Sequence, residues 1–189
     1  MVLIWSGIAP KDRLTWLLEV LPALIGGILL LSTYRVFRLT PLVYVFILLH
    51  CIVLMVGGHY TYAEVPLFDT LREVFDLERN NYDKVGHFFQ GFVPALIARE
   101  ILIRKQAVNA RAWLNLFVVS VCLAFSALYE LIEWWAALAI GADAEAFLAT
   151  QGYVWDTQSD MALALVGAIS ALVLFSRVHD RQLKNRLLP

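Results

Sequence analysis

The sequence predicts an all-α membrane protein in which five transmembrane helices form one bundle. Sixty per cent of its residues are apolar and the mean hydropathy is +0.69, whereas soluble globular chains are about 45–50% apolar. Backbone that faces lipid must satisfy its own hydrogen bonds, so apolar stretches of roughly 20 residues are expected to be helices that cross the bilayer. Five stretches have this character: Leu14–Ser32, Leu39–Gly57, Val85–Ile103, Trp113–Leu138 and Met161–Ser176.

The five predicted spans differ in how uniform they are. The first carries Glu19 and Pro22, and basic residues precede it as they precede a signal peptide. No small-residue cleavage pattern follows it, and four more spans do, so we expect it to be retained. The second and fifth are the least ambiguous spans. The fourth is long because Trp134 and Trp135 are expected to lie in the headgroup belt.

Basic residues orient the predicted bundle. Nine Lys and Arg side chains outside the spans fall on one side, against five on the other, so the positive-inside rule places the C-terminus in the cytoplasm and the N-terminus outside. The net charge of −1 and the pI near 6.4 give no reason to propose nucleic acid as a partner. Residues 1–189 are expected to form a single helical-bundle domain that has the lipid bilayer as its partner.

The longest external link, from His59 to Tyr82, is predicted to contain a helix of its own. Apolar residues recur in it at helical spacing between charged ones, which indicates an amphipathic helix lying flat in the outer interface. Two functions stay open for this helix: a simple connection between spans, or a lid over the outer end of the bundle. The apolar positions are Leu67, Phe68, Leu71, Val74 and Phe75.

Acidic, histidine and amide side chains gather at the outer end of three predicted spans. Within each span their spacing of three, four or seven residues puts them on one helix face. An ionisable residue at the bilayer centre costs about 2.5–3.5 kcal/mol, so these side chains are expected to face one another inside the bundle. They are Asp83, His87 and Gln90 in the third span, Glu130 and Glu133 in the fourth, and Asp156 and Asp160 at the start of the fifth.

Helical rise predicts which of these residues lie at equal depth. Counting from the outer boundary places His87 level with Glu133, and Gln90 level with Glu130. Glu19, one to two turns below the outer start of the first span, is also expected to point inward. The residues expected to border the group are His59, Glu64, Tyr62, Lys84 and Gln158.

The charges of this group are not balanced. Six carboxylates and two histidines have only Lys84 as an expected nearby cation, and crowded like charges cannot all ionise at low cost. Either a bound divalent metal or shared protons would resolve this, and we favour the metal because helical bundles build metal sites from His and carboxylate ligands on facing helices. The expected metal ligands are Asp83, His87, Glu133 and Asp156; the expected catalytic residues are Glu130, Asp160 and His59, with Glu130 or Asp160 as general base.

Three segments also carry a family resemblance. NNYDKVGHFFQGFVPALIARE (80–100), YELIEWW (129–135) and WDTQSDM (155–161) resemble the YjdF-like family of bacterial inner-membrane proteins. The Asp-Lys-x-x-His string at 83–87 and the later aspartates are also similar, more weakly, to VanZ-like proteins, which are associated with resistance to glycopeptide antibiotics such as teicoplanin. The first resemblance covers most of the chain and implies a bacterial inner membrane and a role in the cell envelope, but it implies no reaction.

These observations lead to one preferred hypothesis and two alternatives. The preferred hypothesis is a periplasm-facing metal site that hydrolyses an envelope lipid or lipid-linked substrate, or transfers a group on it. The alternatives are a proton-coupled or cation-coupled carrier and a membrane binding or scaffold protein of the cell envelope. The sequence leaves open the identity of the metal, the substrate and the oligomeric state.

Overall fold

The structure is a computed structural model that describes residues 1–108, 110–141 and 150–187. Within these residues the chain forms α-helices and no strand, which confirms the all-α class predicted from the sequence. The helices are α1 (Val2–Ser6), α2 (Arg13–Thr33), α3 (Pro41–Tyr60), α4 (Pro66–Val74), α5 (Tyr82–Arg104), α6 (Arg111–Ile140) and α7 (Asp156–Leu187).

Four helices of the described chain are long and apolar enough to cross a membrane. They are α2, α3, Trp113–Ala139 of α6 and Asp156–Asn185 of α7, and only 17–28% of the apolar window of each is buried. Most of each helix therefore exposes apolar surface that lipid can cover. The third predicted span corresponds to α5, whose 23 residues extend about 34 Å. Because charged residues at both ends lower its hydropathy, α5 is not among the four, and its role as a fifth span stays a prediction.

Local sequence signals set several helix ends. Asp12 caps α2, since its Oδ1 accepts a hydrogen bond from the Thr15 N–H at 2.6 Å; that bond holds the pKa of Asp12 below its ordinary value. Pro41 opens α3, at a position where a missing N–H costs little. Thr61 has a φ of 62°, and this left-handed residue ends α3 at Tyr60.

The closest helix contact in the bundle joins α5 to α7. Gly91 of α5 lies against the carbonyl of Ala164, and Gly167 of α7 lies against the carbonyl of Phe88. A Cβ on Gly91 would stand only 1.7 Å from the Ala164 oxygen, so the two backbones approach as closely as small residues allow. Since this crossing is one helical turn from His87, it brings the polar ends of α5 and α7 together.

A second buried polar network fastens the opposite end of the bundle. Glu100 of α5 accepts hydrogen bonds from the N–H and hydroxyl of Thr40, at 3.1 and 2.8 Å, and from Arg104 at 2.9 Å. Its Oε2 also lies 3.0 Å from Nε2 of His179 in α7, and both side chains are fully buried. This network ties the start of α3 to α5 and α7. Apolar side chains lie between the two polar ends: Phe92, Leu96, Val118, Cys122 and Ala168.

Two short helices, α1 and α4, lie at the end of the bundle where α5 and α7 begin, which is called the outer end after its predicted orientation. Helix α4 forms within the predicted link, and its position in the membrane interface stays a prediction. Helix α1 has no counterpart in the sequence-based prediction. Its Trp5 ring packs on His59 with 4.5 Å between centroids, and its Ser6 hydroxyl accepts a hydrogen bond from Trp16 at 3.1 Å. Helix α1 thereby covers the outer ends of α2 and α3.

Candidate metal centre

The outer ends of α5, α6 and α7 place His87, Glu130 and Asp160 side by side. His87 Nε2 lies 3.6 Å from Asp160 Oδ2, and His87 Nδ1 lies 3.9 Å from Glu130 Oε1. One potential ligand atom from each of the three residues lies within 4.8 Å of the other two. Because each residue comes from a different helix, the packing of the bundle builds this group.

Gln90 fixes the orientation of the His87 ring. Gln90 Oε1 lies 3.0 Å from His87 Nδ1. An amide oxygen only accepts hydrogen bonds, so this orientation of the Gln90 amide matches the His87 tautomer that carries its hydrogen on Nδ1. Nε2, on the side of Asp160, then presents its lone pair. Histidines that bind metals are held in this way, with one ring nitrogen donating a hydrogen bond and the other free to coordinate.

Two carboxylate oxygens of the group are buried and lack a hydrogen-bond partner among the described residues. They are Glu130 Oε1 and Asp160 Oδ1, on side chains whose residues are 9% and 2% exposed. Leaving a buried charged acceptor unpaired costs about 1–3 kcal/mol or more. These oxygens therefore favour a bound cation or a proton.

Arg79 supplies a buried cation that the sequence-based prediction missed. Its guanidinium donates hydrogen bonds to Asp83 and Asp156, and also to the carbonyl of Thr150 at 3.0 Å. The expectation that Lys84 was the only nearby cation was therefore wrong. Arg79 lies before α5 and not within it, so helical spacing in the sequence does not reveal these contacts.

Arg79, which binds Asp83 and Asp156, does not neutralise all the carboxylates at this end of the bundle. One oxygen each of Asp83, Asp156 and Asp160 lies within 4.8 Å of the other two, so Asp160 adjoins both the Arg79 pair and His87. A single guanidinium thus faces two carboxylates, and among the described residues it forms no ion pair with Asp160 or Glu130. Lys84 borders this region with its Nζ 3.2 Å from the hydroxyl of Ser159.

A cavity of about 150 Å³ opens beside His87. Glu19 of α2 and Glu133 of α6 line it, and Glu19 is 6% exposed, so the prediction that Glu19 points inward is confirmed. Tyr62 closes the outer end of this cavity, and burial together with the nearby Glu19 carboxyl raises the pKa of Tyr62 well above its ordinary value. Its hydroxyl therefore stays protonated and able to donate a hydrogen bond.

A glycine makes room for the Tyr62 ring. A Cβ on Gly57 of α3 would lie 2.2 Å from Cε2 of that ring, so no other residue fits at this position without displacing Tyr62. The ring also packs against Tyr82 with 5.6 Å between centroids. The outer wall of the cavity thus depends on residues of α3 and α5 together.

Other residues named from the sequence lie outside this group. His59 Nδ1 lies 3.0 Å from the carbonyl of Ser6, beneath α1. Glu64 forms an ion pair with Lys11 in which both side chains are about half exposed, and Gln158 is exposed. The catalytic role of His59 and the lining roles of Glu64 and Gln158 stay predictions.

Comparison with known proteins shows the family. The family model described as "Predicted membrane protein (DUF2238)" matches residues 1–181. Inner membrane protein YjdF of Escherichia coli (strain K12) is 56% identical over 185 residues, which cover 98% of this chain and 88% of that relative. This confirms the resemblance to YjdF, and no solved structure gives a significant match. The chain, an inner-membrane protein with transmembrane helices, belongs to the DUF2238 family of predicted membrane proteins.

Proposed function

We propose that this protein binds a divalent metal through His87, Glu130 and Asp160 and uses it to hydrolyse an envelope lipid or lipid-linked substrate, or to transfer a group on it. Helix α5 is the fifth span of the proposed arrangement, the outer end faces the periplasm, and α4 lies in the membrane interface. The observation that carries the proposal is the convergence of these three side chains with two buried oxygens that lack partners.

The distances suit a bridging ion better than direct hydrogen bonds. The 3.6 Å between His87 Nε2 and Asp160 Oδ2 exceeds the 2.7–3.2 Å of ordinary N–H···O bonds. Two atoms that each lie about 2.1 Å from a tetrahedral ion stand roughly 3.4 Å apart. A small divalent cation between the two side chains therefore needs little movement of the protein.

The remaining carboxylates then have distinct roles. Glu133, one turn from Glu130 on α6, lines the cavity and is positioned to act as the general base. In a hydrolysis it would take a proton from water as the water oxygen bonds to the phosphorus or acyl carbon. It would then pass that proton to the leaving oxygen as the bond between that oxygen and the phosphorus or carbon breaks. The metal would polarise the attacked group and lower the pKa of the water. The proposed roles differ from the sequence-based ones. Glu130 and Asp160 become ligands and Glu133 becomes the base, while Asp83 and Asp156, expected as ligands, bind Arg79.

The interior of the bundle supports an enzyme over a proton-coupled carrier. A carrier needs a polar path from the outer group to the opposite end, where Arg99 and Glu100 lie. Between Gln90 and Arg99, the described part of α5 instead packs apolar side chains into the main core. Phe92 and Leu96 are at most 4% exposed, and hydrocarbon at these positions gives protons and ions no partners.

Metal titration of the full-length protein in detergent tests the proposal. After chelation and desalting, the protein would be titrated with Mg²⁺, Mn²⁺ or Zn²⁺, and bound metal counted by mass spectrometry. We expect about one ion per chain, with affinity lowered roughly 10–100-fold in Asp160→Asn and Glu130→Gln. Gln158→Ala, on the exposed face of the same turn of α7, is the matched control and should bind as the wild type does. Unchanged affinity in both carboxylate variants would overturn the ligand assignment, and turnover of extracted envelope lipids by the loaded protein would then test the reaction.

A further inference from the structure

Two long apolar grooves run along α2 and meet at the polar cavity. One, of about 570 Å³, lies between α2, α3 and α5, and the other, of about 740 Å³, lies between α2, α5 and α6. Both grooves and the cavity are lined by Pro22 of α2 and Pro94 of α5. The three spaces are therefore neighbours around a single point within the bundle.

The grooves have the length of hydrocarbon chains in one leaflet. The first follows α2 from Pro22 to Thr33, and the second follows it from Leu18 to Leu29. Eleven residues of helix extend about 16 Å at 1.5 Å per residue, which is about half of the 30 Å hydrocarbon core. Since Pro22 lies nine residues, or about 14 Å, along α2 from its start, a chain that starts at the polar cavity and follows the first groove would run beside the second half of the helix to its end at Thr33.

The sequence of α2 keeps the grooves open. Helix α2 packs mainly on α3, so its faces toward α5 and α6 are not filled by neighbouring side chains. Gly26 lines both grooves, and a Cβ at this position would meet nothing within 4 Å. The space beside Gly26 is therefore not occupied by another side chain of the described residues.

The polar lining of the cavity indicates the headgroup. Asp83 lines the cavity but is already hydrogen bonded to Arg79. Glu19 and Glu133 also line it, and the described lining residues include neither Lys nor Arg. A headgroup with an amine would complement these carboxylates. A phosphate next to that amine would face the metal-binding group, since His87 borders the same cavity.

We infer that the ligand of this site is a lipid with two hydrocarbon chains and an amine-bearing headgroup, which enters sideways from the bilayer past α2. One chain lies in each groove and the headgroup lies in the cavity. The inference rests on the proposed function for the reaction, but the grooves and the cavity stand independently of the metal.

Two neighbouring glycines allow a matched test. Gly26→Leu would fill both grooves, whereas Gly27→Leu places the same side chain on the same helix without lining either groove, and a Cβ at Gly27 also meets nothing within 4 Å. The full-length variants would be purified in detergent and incubated with phosphatidylethanolamine, phosphatidylglycerol or lysophosphatidylethanolamine. Native mass spectrometry would count the lipids retained on each.

We expect the wild type and Gly27→Leu to retain phosphatidylethanolamine about tenfold better than the other two lipids, and Gly26→Leu to lose that retention. Equal retention by both variants would show ordinary annular lipid and overturn the assignment of the grooves. Equal retention of phosphatidylethanolamine and phosphatidylglycerol would overturn the amine. Counting the bound metal in the same samples separates the two proposals. A wild type that selects lipid but binds no metal would contradict the metal site and leave the grooves standing. A wild type that binds metal but shows no lipid selectivity would contradict the grooves and leave the metal site standing.

Discussion

Replacing Gly91 by Ala should force α5 and α7 apart and break the metal-binding group. The added Cβ would lie 1.7 Å from the Ala164 carbonyl oxygen, whereas carbon and oxygen in contact are about 3.3–3.6 Å apart, so the helices must separate by roughly 1.5–2 Å. His87 is one turn from Gly91, and Asp160 is one turn from Ala164. The 3.6 Å between their facing atoms should therefore widen by a similar amount, beyond the reach of one small ion.

The energetic cost should be large for the addition of a single methyl group. Overpacking typically costs about 1–3 kcal/mol, and the upper end applies because the obstructing atom belongs to the backbone and cannot rotate away. Gly27→Ala is the matched control. Its Cβ meets nothing within 4 Å, and Ala is favoured over Gly in helices by up to about 1 kcal/mol, so this variant should be unchanged or slightly more stable.

Thermal unfolding followed by tryptophan fluorescence, together with metal content per chain, measures both effects. For a chain of this size the melting temperature should fall by roughly 2–4 °C for each kcal/mol lost. We expect Gly91→Ala to show this fall and to lose its metal, while Gly27→Ala shows neither change. A Gly91→Ala protein with the melting temperature and metal content of the wild type would refute the role of the crossing.

Three further predictions follow from buried charges and a helix cap. Arg79→Gln should cost about 3–5 kcal/mol because it leaves two buried carboxylates without their cation. Arg72→Gln removes only a partly exposed pair and should cost at most about 1 kcal/mol; similar losses in denaturant unfolding would contradict this. Glu100→Gln should lower the melting temperature but leave metal content unchanged, because Glu100 lies at the opposite end of the bundle; metal loss would contradict that separation. Asp12→Ala should lower the free energy of unfolding by about 0.5–2 kcal/mol at neutral pH. The difference in stability from the wild type should vanish as pH falls through the lowered pKa of Asp12, since the capping carboxylate then becomes protonated. A difference that persists in acid would refute the cap.

The sequence predicts which residues share the outer end better than it predicts their contacts. Alternating spans bring the ends of α5, α6 and α7 together, and the structure places Asp83, Asp156 and Asp160 as neighbours there. Depth counted from span boundaries put His87 level with Glu133, but the contact in the structure is with Glu130. Helix tilt and the crossing at Gly91 shift heights by about one turn, and neither can be calculated from one helix alone.

Contacts made by loops are harder still to predict. Arg79 lies in the link before α5, and several other charged residues lie in that link, so the sequence alone does not single it out. It reaches Asp156 because the loop folds back, with the Asn80 N–H and carbonyl hydrogen bonded to the Gln151 side chain at 3.0 and 2.8 Å. Such pairing joins positions far apart in sequence, and no periodic pattern encodes it. The grooves along α2 likewise become visible only when the helices are placed.

Pulsed electron paramagnetic resonance of the Mn²⁺-loaded full-length protein measures whether His87 and carboxylates from two other helices bind one ion. A coordinating histidine gives a ¹⁴N coupling to the metal. We expect that coupling in the wild type and in His59→Ala, because His59 lies under α1, and its loss in His87→Ala. A ¹⁴N coupling that survives in His87→Ala, or that is absent from the Mn²⁺-loaded wild type, would contradict it.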